Sequence, residues 1–479
     1  MAVGLKRDRG FKKYLLNEQM IIYTEIVVYI LIWFIILVLV IRKSRKNKDI
    51  NSGFAVIYIV NLFLIYGFAA LLYLLPWHRY VNGKCMLYGL REATYGAGAF
   101  AVGNLILAPF LISLFFTPRK NPGGVDKTKQ DFSSPLPKRY FLIGIISYFI
   151  LPHFTFGLPT VTSLTAAGHQ LIVAGLCLIC WQAWGEGDKK RFKRWLFISF
   201  LLPLISITLY GFLGVGMTMT LVIFLFVARF FRPSFKTLII CVLLVYIGLS
   251  LYLTYMRDRG VLRDAAWGGA PISKRVELLK ASITQPVWFN IFDLEQLELI
   301  DGRMNQNILV GAAVEYIGSG RVDYADGKTI IDSIVALIPR VFWEEKPIFA
   351  GSGNIVSEYT GIEFAGETSV GVGQVMEFYI NFGRVGVIIG FLILGIIVAI
   401  IDIMAGYYLG EHNLKKFILW FLPGLASLSC GAFVEMTSST GAAIFLVYLI
   451  TSRNLLIVLL ILFSLIQVTK RLVLRFLPL

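Results

Sequence analysis

The residue types best suited to chemistry lie in the second half of the chain, beside a long apolar run. Gln374, Glu377 and Asn381 are spaced by three and four residues, so they share one face of a predicted helix. A carboxylate on a helix that leads into an apolar run is a candidate general base, or an orienting group for a hydroxyl. The alternative is a structural carboxylate near the helix start, paired with Arg384 or another arginine.

A second candidate group consists of four arginines that follow another apolar run: Arg257, Arg259, Arg263 and Arg275. A planar guanidinium donates two parallel hydrogen bonds to phosphate oxygens, and the low dielectric of a membrane interface strengthens that pairing. The group therefore predicts a phosphate or pyrophosphate site. In the alternative, the aliphatic stems lie along apolar surface and the charged heads pair locally with Asp258 and Asp264.

The third candidate is the segment 338–347. Pro339 and Pro347 restrict the backbone around Arg340, Trp343 and Lys346. This combination of charge and aromatic surface suits a sugar or an anionic headgroup, with Trp343 stacking on a pyranose face. The alternative is an interfacial loop whose aromatic residues belong to the membrane belt.

Several other groups are weaker candidates. Glu435 lies beside a run of hydroxyl residues and could share a cavity with the sites above, and His153 and His169 are structural polar residues or alternative bases. The glycine-rich segment 351–354 lacks the Lys-Ser/Thr pair of a phosphate-binding loop. The chain contains no H-E-x-x-H and no G-x-S-x-G motif, which argues against a metalloprotease and an α/β-hydrolase.

The amino-acid composition indicates that these candidate residues are positioned by membrane-spanning helices. Of 479 residues, 57% are hydrophobic and 15% are charged, whereas soluble domains carry roughly 25% charged residues. This excludes a soluble globular enzyme and a disordered protein. The net charge of +16 would indicate nucleic acid in a soluble chain, but here it is typical of basic loops on the cytoplasmic side of a bilayer.

Runs of about 20 apolar residues predict eleven or twelve transmembrane helices. The predicted spans are 20–42, 53–75, 98–117, 140–157, 163–183, 195–212, 215–231, 237–255, 384–408, 416–433 and 438–452, with a last run at 455–469. Basic connections at 42–48, 119–139, 189–194, 229–236 and 415–416 are separated by even numbers of spans, which places them all in the cytoplasm. The basic N-terminus conflicts with this topology, so either it forms an amphipathic helix or one early span is miscounted.

Between the eighth and ninth spans lies a much more polar stretch, residues 256–383. It carries 11 Lys/Arg and 17 Asp/Glu, a net charge of −6, so the rest of the chain carries +22. We therefore divide the chain into a membrane domain at 1–255, a large extracytoplasmic loop at 256–383 that holds the predicted active site, and a membrane segment at 384–479. Within the loop, apolar spacing predicts short helices at 273–284 and 330–337.

Several motifs of this loop resemble those of the Wzy-type oligosaccharide repeat-unit polymerases. The elements that carry the resemblance are Ile-Pro-Arg with Lys-Pro (Pro339, Arg340, Lys346, Pro347), Gly353-Asn354, and the Gly-x-Gly to Asn-x-Gly element at 371–383. The resemblance covers mainly residues 250–410. It implies a GT-C-like architecture, similar to the O-antigen ligases, in a bacterial inner membrane with the active site facing the periplasm.

The resemblance also implies an activity and a distribution of roles. A growing O-antigen or exopolysaccharide chain would move from undecaprenyl pyrophosphate to the non-reducing end of a new lipid-linked unit, with inversion, without a metal or cofactor, and with a chain-length regulator as a possible partner. Pyrophosphate binding is assigned to Arg257, Arg259, Arg263, Arg275 and Arg340, supported by Lys346. Glu377 is the base, and Trp343, Tyr379 and Asn354 contact the glycan. Ligases of this superfamily use a periplasmic histidine as base, and the predicted loop contains none.

Three alternative functions remain open from the sequence. An O-antigen ligase would use the same scaffold to transfer glycan to a lipid A core. A transporter or flippase is disfavoured because there are no matching halves with broken helices. The third alternative is a scaffold protein of an exopolysaccharide-synthesis complex.

Overall fold

A computed structural model describes residues 2–47, 51–77, 83–115, 132, 134–150, 159–231, 235–338, 343, 345–347, 349, 351–364, 370–429 and 431–451. These residues form nineteen α-helices and three π-helical turns, and they contain no strand. The first helices are α1 (Ala2–Lys46), α2 (Phe54–Leu62), α3 (Phe68–Leu72), α4 (Gly83–Val102), α5 (Ala108–Phe115), α6 (Leu136–Ile145), α7 (Pro159–Gly185), α8 (Lys189–Ser199), α9 (Leu202–Tyr210), α10 (Leu213–Ala228) and α11 (Phe235–Trp267). The remaining helices are α12 (Ile272–Thr284), α13 (Leu294–Met304), α14 (Gln306–Gly318), α15 (Lys328–Ala336), α16 (Ser352–Thr360), α17 (Gln374–Gly410), α18 (Leu414–Ala426) and α19 (Phe433–Thr451). The π-helical turns are Phe63–Gly67, Gly103–Leu107 and Ile146–Ile150.

Seven helical stretches in the described part of the chain are long and apolar enough to cross a membrane. They are Ile22–Lys46, Phe54–Leu72, Gly83–Leu114, Ala167–Gly185, Lys189–Tyr210, Ile239–Trp267 and Gln374–Gly410. Two apolar helices, Leu213–Ala228 and Phe433–Tyr448, are shorter. These findings support an all-α polytopic membrane protein. The count is below the predicted eleven or twelve because several apolar runs fold as short helices, and the run at 455–469 lies outside the described residues.

The N-terminus belongs to the same helix as the first apolar span. The helix α1 is continuous from Ala2 to Lys46, and the stretch that could cross a membrane begins at Ile22. The basic N-terminal residues therefore extend this helix and do not form a separate element.

The helix α4 lies at the centre of the packing between the first half of the chain and the later helices. The carbonyl of Asn307 in α14 lies against Gly89, and the carbonyl of Cys85 lies against Gly311, so a side chain at either glycine would overlap backbone. The helices α4 and α14 therefore pack with their backbones in direct contact, which requires residues without a Cβ.

The predicted loop is largely helical and packs against one end of the bundle. Its helices α12 and α15 confirm the two short helices predicted from apolar spacing, within two residues at each boundary. The hydroxyl of Tyr73 donates to Asp301 at 2.8 Å, and the indole of Trp77 donates to the carbonyl of Ile291 at 2.8 Å. These contacts fix the segment after α12 to the connection between α3 and α4.

A break divides the long helix α17 into two parts. Phe382 (φ −141°, ψ 21°) and Gly383 (φ 61°, ψ −153°) have non-helical backbone angles, and those of Gly383 are accessible almost only to glycine. The part before the break, 374–381, is the predicted helix with Gln374, Glu377 and Asn381 on one face, and all three side chains are buried. The apolar part then begins at Arg384, where the predicted span begins.

Candidate functional site

Glu377 lies at the junction of three helices and is fully buried. Its Oε2 accepts a hydrogen bond from the backbone N–H of Phe433 at 2.6 Å, at the first residue of α19. The hydroxyl of Thr329, from α15, lies beside the carboxyl group. The same hydroxyl accepts a hydrogen bond from the side-chain amide of Asn381 at 2.7 Å. The helices α15, α17 and α19 therefore together fix the position of the carboxyl group.

Two buried oxygens on this helix face have no hydrogen-bond donor among the described residues. They are Oε1 of Glu377 and Oδ1 of Asn381. The Asn381 amide is oriented unambiguously because its nitrogen donates both to Thr329 and to the backbone carbonyl of Glu377. An unsatisfied buried acceptor costs roughly 1–3 kcal/mol. Two such acceptors one helical turn apart form a place where a hydroxyl group of a ligand could donate.

A second carboxylate, Glu435, lies close to Glu377. Its Oε1 accepts a hydrogen bond from the Ser352 hydroxyl at 2.7 Å, and the same hydroxyl accepts from the N–H of Ala432 at 3.0 Å. The N–H of Ala432 thus donates to Ser352, and the next N–H, of Phe433, donates to Glu377. The carboxylates of Glu377 and Glu435 are close enough to repel each other. The partial positive charge at the start of α19 stabilises both. Glu435 therefore contacts the predicted loop through Ser352.

Gln374 connects this site to α2. Its side-chain amide donates to the carbonyl of Ser427 at 2.9 Å and its Oε1 accepts from the hydroxyl of Tyr58. A cavity of about 10 Å³ lies here, between Tyr66, Gly373 and the same residues. This volume holds about one water molecule, so the face that carries Glu377 is tightly packed on the α2 side.

Arg384 binds a carboxylate other than Glu377. Its Nε lies 3.1 Å from both oxygens of Glu92 and its terminal NH2 nitrogen lies 2.7 Å from Oε1, while Arg91 lies 3.4 Å from the same carboxylate. Glu92 is fully buried in α4. The pairing of Glu377 with Arg384, which was the structural alternative, is therefore not formed. Sequence reasoning missed Glu92, although an acidic residue within an otherwise apolar helix was a usable signal.

Three of the predicted phosphate-binding arginines, Arg257, Arg259 and Arg263, lie in the last third of α11, and Arg275 lies in the first turn of α12. Arg257 forms a two-point ion pair with Asp258, at 2.9 Å and 2.6 Å, and donates to the carbonyl of Gln285 at 2.7 Å. This is the local pairing that was the alternative reading of the sequence. Arg259 is half-buried, near Tyr252.

The other two arginines of this group bind the end of α9. The guanidinium of Arg263 lies 4.4 Å from the ring centroid of Phe212, and its Nε donates to the Tyr255 hydroxyl at 3.2 Å. Arg275 donates to the carbonyls of Ala270 at 2.7 Å and Leu209 at 3.2 Å. Within the described residues, no hydrogen bond or ion pair joins these arginines to Glu377.

The remaining residues that the sequence predicted for the site do not gather around Glu377 in the described part of the chain. Lys346 donates to the carbonyls at the end of α15, Trp343 is exposed, and Asn354 is exposed on α16. Tyr379 is nearly buried, with its ring centroid 6.3 Å from that of Tyr324. Arg340 and His153 lie outside the described residues, and the ring of His169 packs near Tyr148. In the described part of the chain, no three His, Cys, Asp or Glu side chains converge as ligands for a metal ion.

Comparison with protein families gives one match. The model described as "Domain of unknown function (DUF8712)" matches residues 140–451, which is 312 of the 479 residues. The chain belongs to the DUF8712 family. No curated protein and no solved structure matches the chain.

The DUF8712 region contains every residue that the sequence analysis placed in the site. Glu377, Asn381, Thr329 and Glu435 all lie within it. Glu92, which binds Arg384, lies before it, as do Tyr58 and the other α2 residues next to Gln374. The candidate site therefore combines side chains of the domain with a wall built from the helices that precede it.

Proposed function

We propose that this protein is a membrane glycosyltransferase that polymerises lipid-linked oligosaccharide repeat units. The observation that carries the proposal is the buried Glu377, which is fixed through Oε2 while its Oε1 has no donor among the described residues. Such a carboxylate, next to the unpaired oxygen of Asn381, suits a hydroxyl that must be bound and deprotonated. The motif resemblance of residues 338–383 supplies the substrate class, which is a glycan on undecaprenyl pyrophosphate.

The proposed reaction is a displacement at the anomeric carbon of the growing chain. An acceptor hydroxyl of the new unit donates to Oε1 of Glu377, and its oxygen forms a bond to the anomeric carbon. The bond from that carbon to the pyrophosphate oxygen breaks, and the pyrophosphate leaves with the electron pair. The acceptor proton goes to Glu377, and attack from the opposite face inverts the anomeric carbon.

Positive charge is needed where the pyrophosphate departs. We assign this role to Arg340 and Lys346, with Arg257, Arg259, Arg263 and Arg275 binding the carrier at the edge of the membrane. A guanidinium has five N–H donors. Arg263 uses only its Nε in the hydrogen bonds described above, so its binding to protein groups is compatible with a phosphate ligand.

The decisive experiment supplies purified protein with a lipid-linked repeat unit and separates the products by size. We expect a ladder of polymer lengths from the unmodified protein, and loss of the ladder for Glu377→Gln. The matched control is Glu358→Gln, which makes the same chemical change at an exposed position of α16 and should leave the ladder intact. A full ladder from Glu377→Gln would remove this residue as the base.

The same assay separates the alternatives. Transfer of one preformed chain to a lipid A core acceptor, with no ladder, would indicate a ligase. Movement of the lipid-linked unit across vesicle membranes without any new glycosidic bond would indicate a flippase.

A further inference from the structure

A polar cavity lies at the end of the bundle that carries the basic connections. Its volume is about 70 Å³, several times the 10–15 Å³ that one water molecule requires. It is formed by the last turns of α1 and the second part of α17, together with the π-helical turn Gly103–Leu107. Its polar lining consists of Lys43, Ser44, Asn47, Asn51, Asn104 and Asp402.

Lys43 is the cationic group of this cavity. It is half-buried, and its ammonium donates to the backbone carbonyl of Asn104. That carbonyl belongs to the π-helical turn, where the regular helical hydrogen-bond pattern is interrupted. A lysine ammonium has three N–H donors, so two remain for a ligand in the cavity.

The one acidic group of the cavity is engaged by the start of α2. Oδ1 of Asp402 accepts from the hydroxyl of Ser52 and from the N–H of Phe54, both at 2.8 Å. Arg229 lies near this carboxylate and donates to the carbonyls of Asn51 and Ser52. Two cations thus surround one carboxylate whose oxygen is already hydrogen-bonded, and the local charge is positive.

The surroundings of the cavity match a lipid. Arg42, Arg45 and Lys46 are exposed at the rim, while Ile35 and Leu39, one to two turns earlier in α1, expose 59% and 46% of their surface. Charged groups beside exposed apolar groups fit a headgroup with its acyl chains. Anionic lipids also concentrate on the cytoplasmic leaflet, the side to which the basic connections assign this end of the bundle.

We propose that this cavity binds the phosphate of an anionic phospholipid headgroup, with Lys43 as the principal contact. Asn47 and Asn51 also line the cavity, and the Asn51 amide donates to the carbonyl of Ser44 at 3.1 Å, which leaves one of its N–H groups for a phosphate or glycerol oxygen. This site is independent of the glycosyltransferase function proposed above, because it lies at the opposite end of α17 from Glu377.

The test measures how much phosphatidylglycerol stays bound to the purified protein after exchange from mixed micelles of phosphatidylglycerol and phosphatidylcholine. We expect Lys43→Gln to reduce the retained phosphatidylglycerol about fivefold, the effect of losing one direct hydrogen bond to the phosphate, and Lys43→Arg to retain it. The control is Lys190→Gln, an exposed lysine in the basic connection at 189–194 and not part of the cavity lining, for which we expect a change below twofold.

A second variant keeps the test valid if Lys43→Gln fails to fold. Asn47→Asp adds a negative charge to the lining while leaving Lys43 bound to Asn104, and it should also reduce retention about fivefold. Equal losses for Lys43→Gln and Lys190→Gln would reveal diffuse surface attraction and overturn the proposal. Displacement of the lipid by millimolar inorganic phosphate would assign the cavity to a soluble anion and would equally overturn it.

Discussion

The ion pair between Glu92 and Arg384 allows a quantitative prediction about how this bundle holds charge. Removing one partner of a buried pair usually costs about 3–5 kcal/mol, because the other charge stays buried alone. Here Arg384 keeps 45% of its side chain exposed and Arg91 remains 3.4 Å from the carboxylate. Solvent screening and this residual contact reduce the loss, so we expect Arg384→Met to lower the free energy of unfolding by about 2 kcal/mol.

Substitution of Glu92 should lower the free energy of unfolding less than substitution of Arg384. Glu92→Gln leaves a half-exposed cation that water can solvate, and the new amide oxygen can still accept from Arg384, so we expect a loss of about 1 kcal/mol. The double variant should cost less than the sum of the two single changes, because the second substitution removes an unpaired charge that the first one created.

Reversible unfolding in mixed detergent micelles, followed by tryptophan fluorescence, measures these differences. Lys280→Met, at an exposed position of α12, is the control and should change the free energy of unfolding by no more than about 0.5 kcal/mol. The reasoning is refuted if Arg384→Met costs no more than this control, or if Glu92→Gln costs more than Arg384→Met.

Further predictions concern the candidate site and the packing around it. Glu377→Gln should lower polymer formation about 10²–10⁴-fold, the usual contribution of a general base, as measured by initial rates of product formation. Ser352→Ala removes the donor to Glu435 and should destabilise by about 1–3 kcal/mol, measured as denaturant-induced unfolding in micelles. Gly383→Ala should cost about 1–3 kcal/mol because of its backbone angles, seen as a lower thermal midpoint. Gly311→Val places a side chain against the backbone of α4 and should reduce the yield of monodisperse protein, whereas Gly302→Val, where a Cβ meets open space, should not.

Local periodicity allowed the sequence to predict the central part of the site. The three- and four-residue spacing of Gln374, Glu377 and Asn381 requires only that the segment be helical, and the structure places all three on one buried face. The short helices of the loop were predicted for the same reason. These features depend on neighbouring residues in the chain, so one sequence contains enough information to infer them.

Partners far apart in the chain could not be predicted in this way. Glu92 and Arg384 are separated by 292 residues, and the contact of Phe433 with Glu377 depends on where α19 begins. The described residues contain seven long spans against the predicted eleven or twelve, partly because apolar length alone does not reveal helix breaks. The predicted span at 416–433 illustrates this, since α18 ends at Ala426 and α19 begins only at Phe433.

The arginines in the last third of α11 show why a basic cluster at a membrane edge has two possible roles. A helix that ends at the edge of a bilayer leaves carbonyl groups without donors. Arg257 binds the carbonyl of Gln285, and Arg263 binds that of Gly211, so both stabilise helix ends whether or not they bind a carrier. Because the guanidinium of Arg263 also stacks on Phe212, its position is fixed before any ligand arrives. A cation held in place by such contacts needs little ordering to bind pyrophosphate, so the structural role of Arg263 favours the proposed one, whereas Arg257 is already neutralised by Asp258.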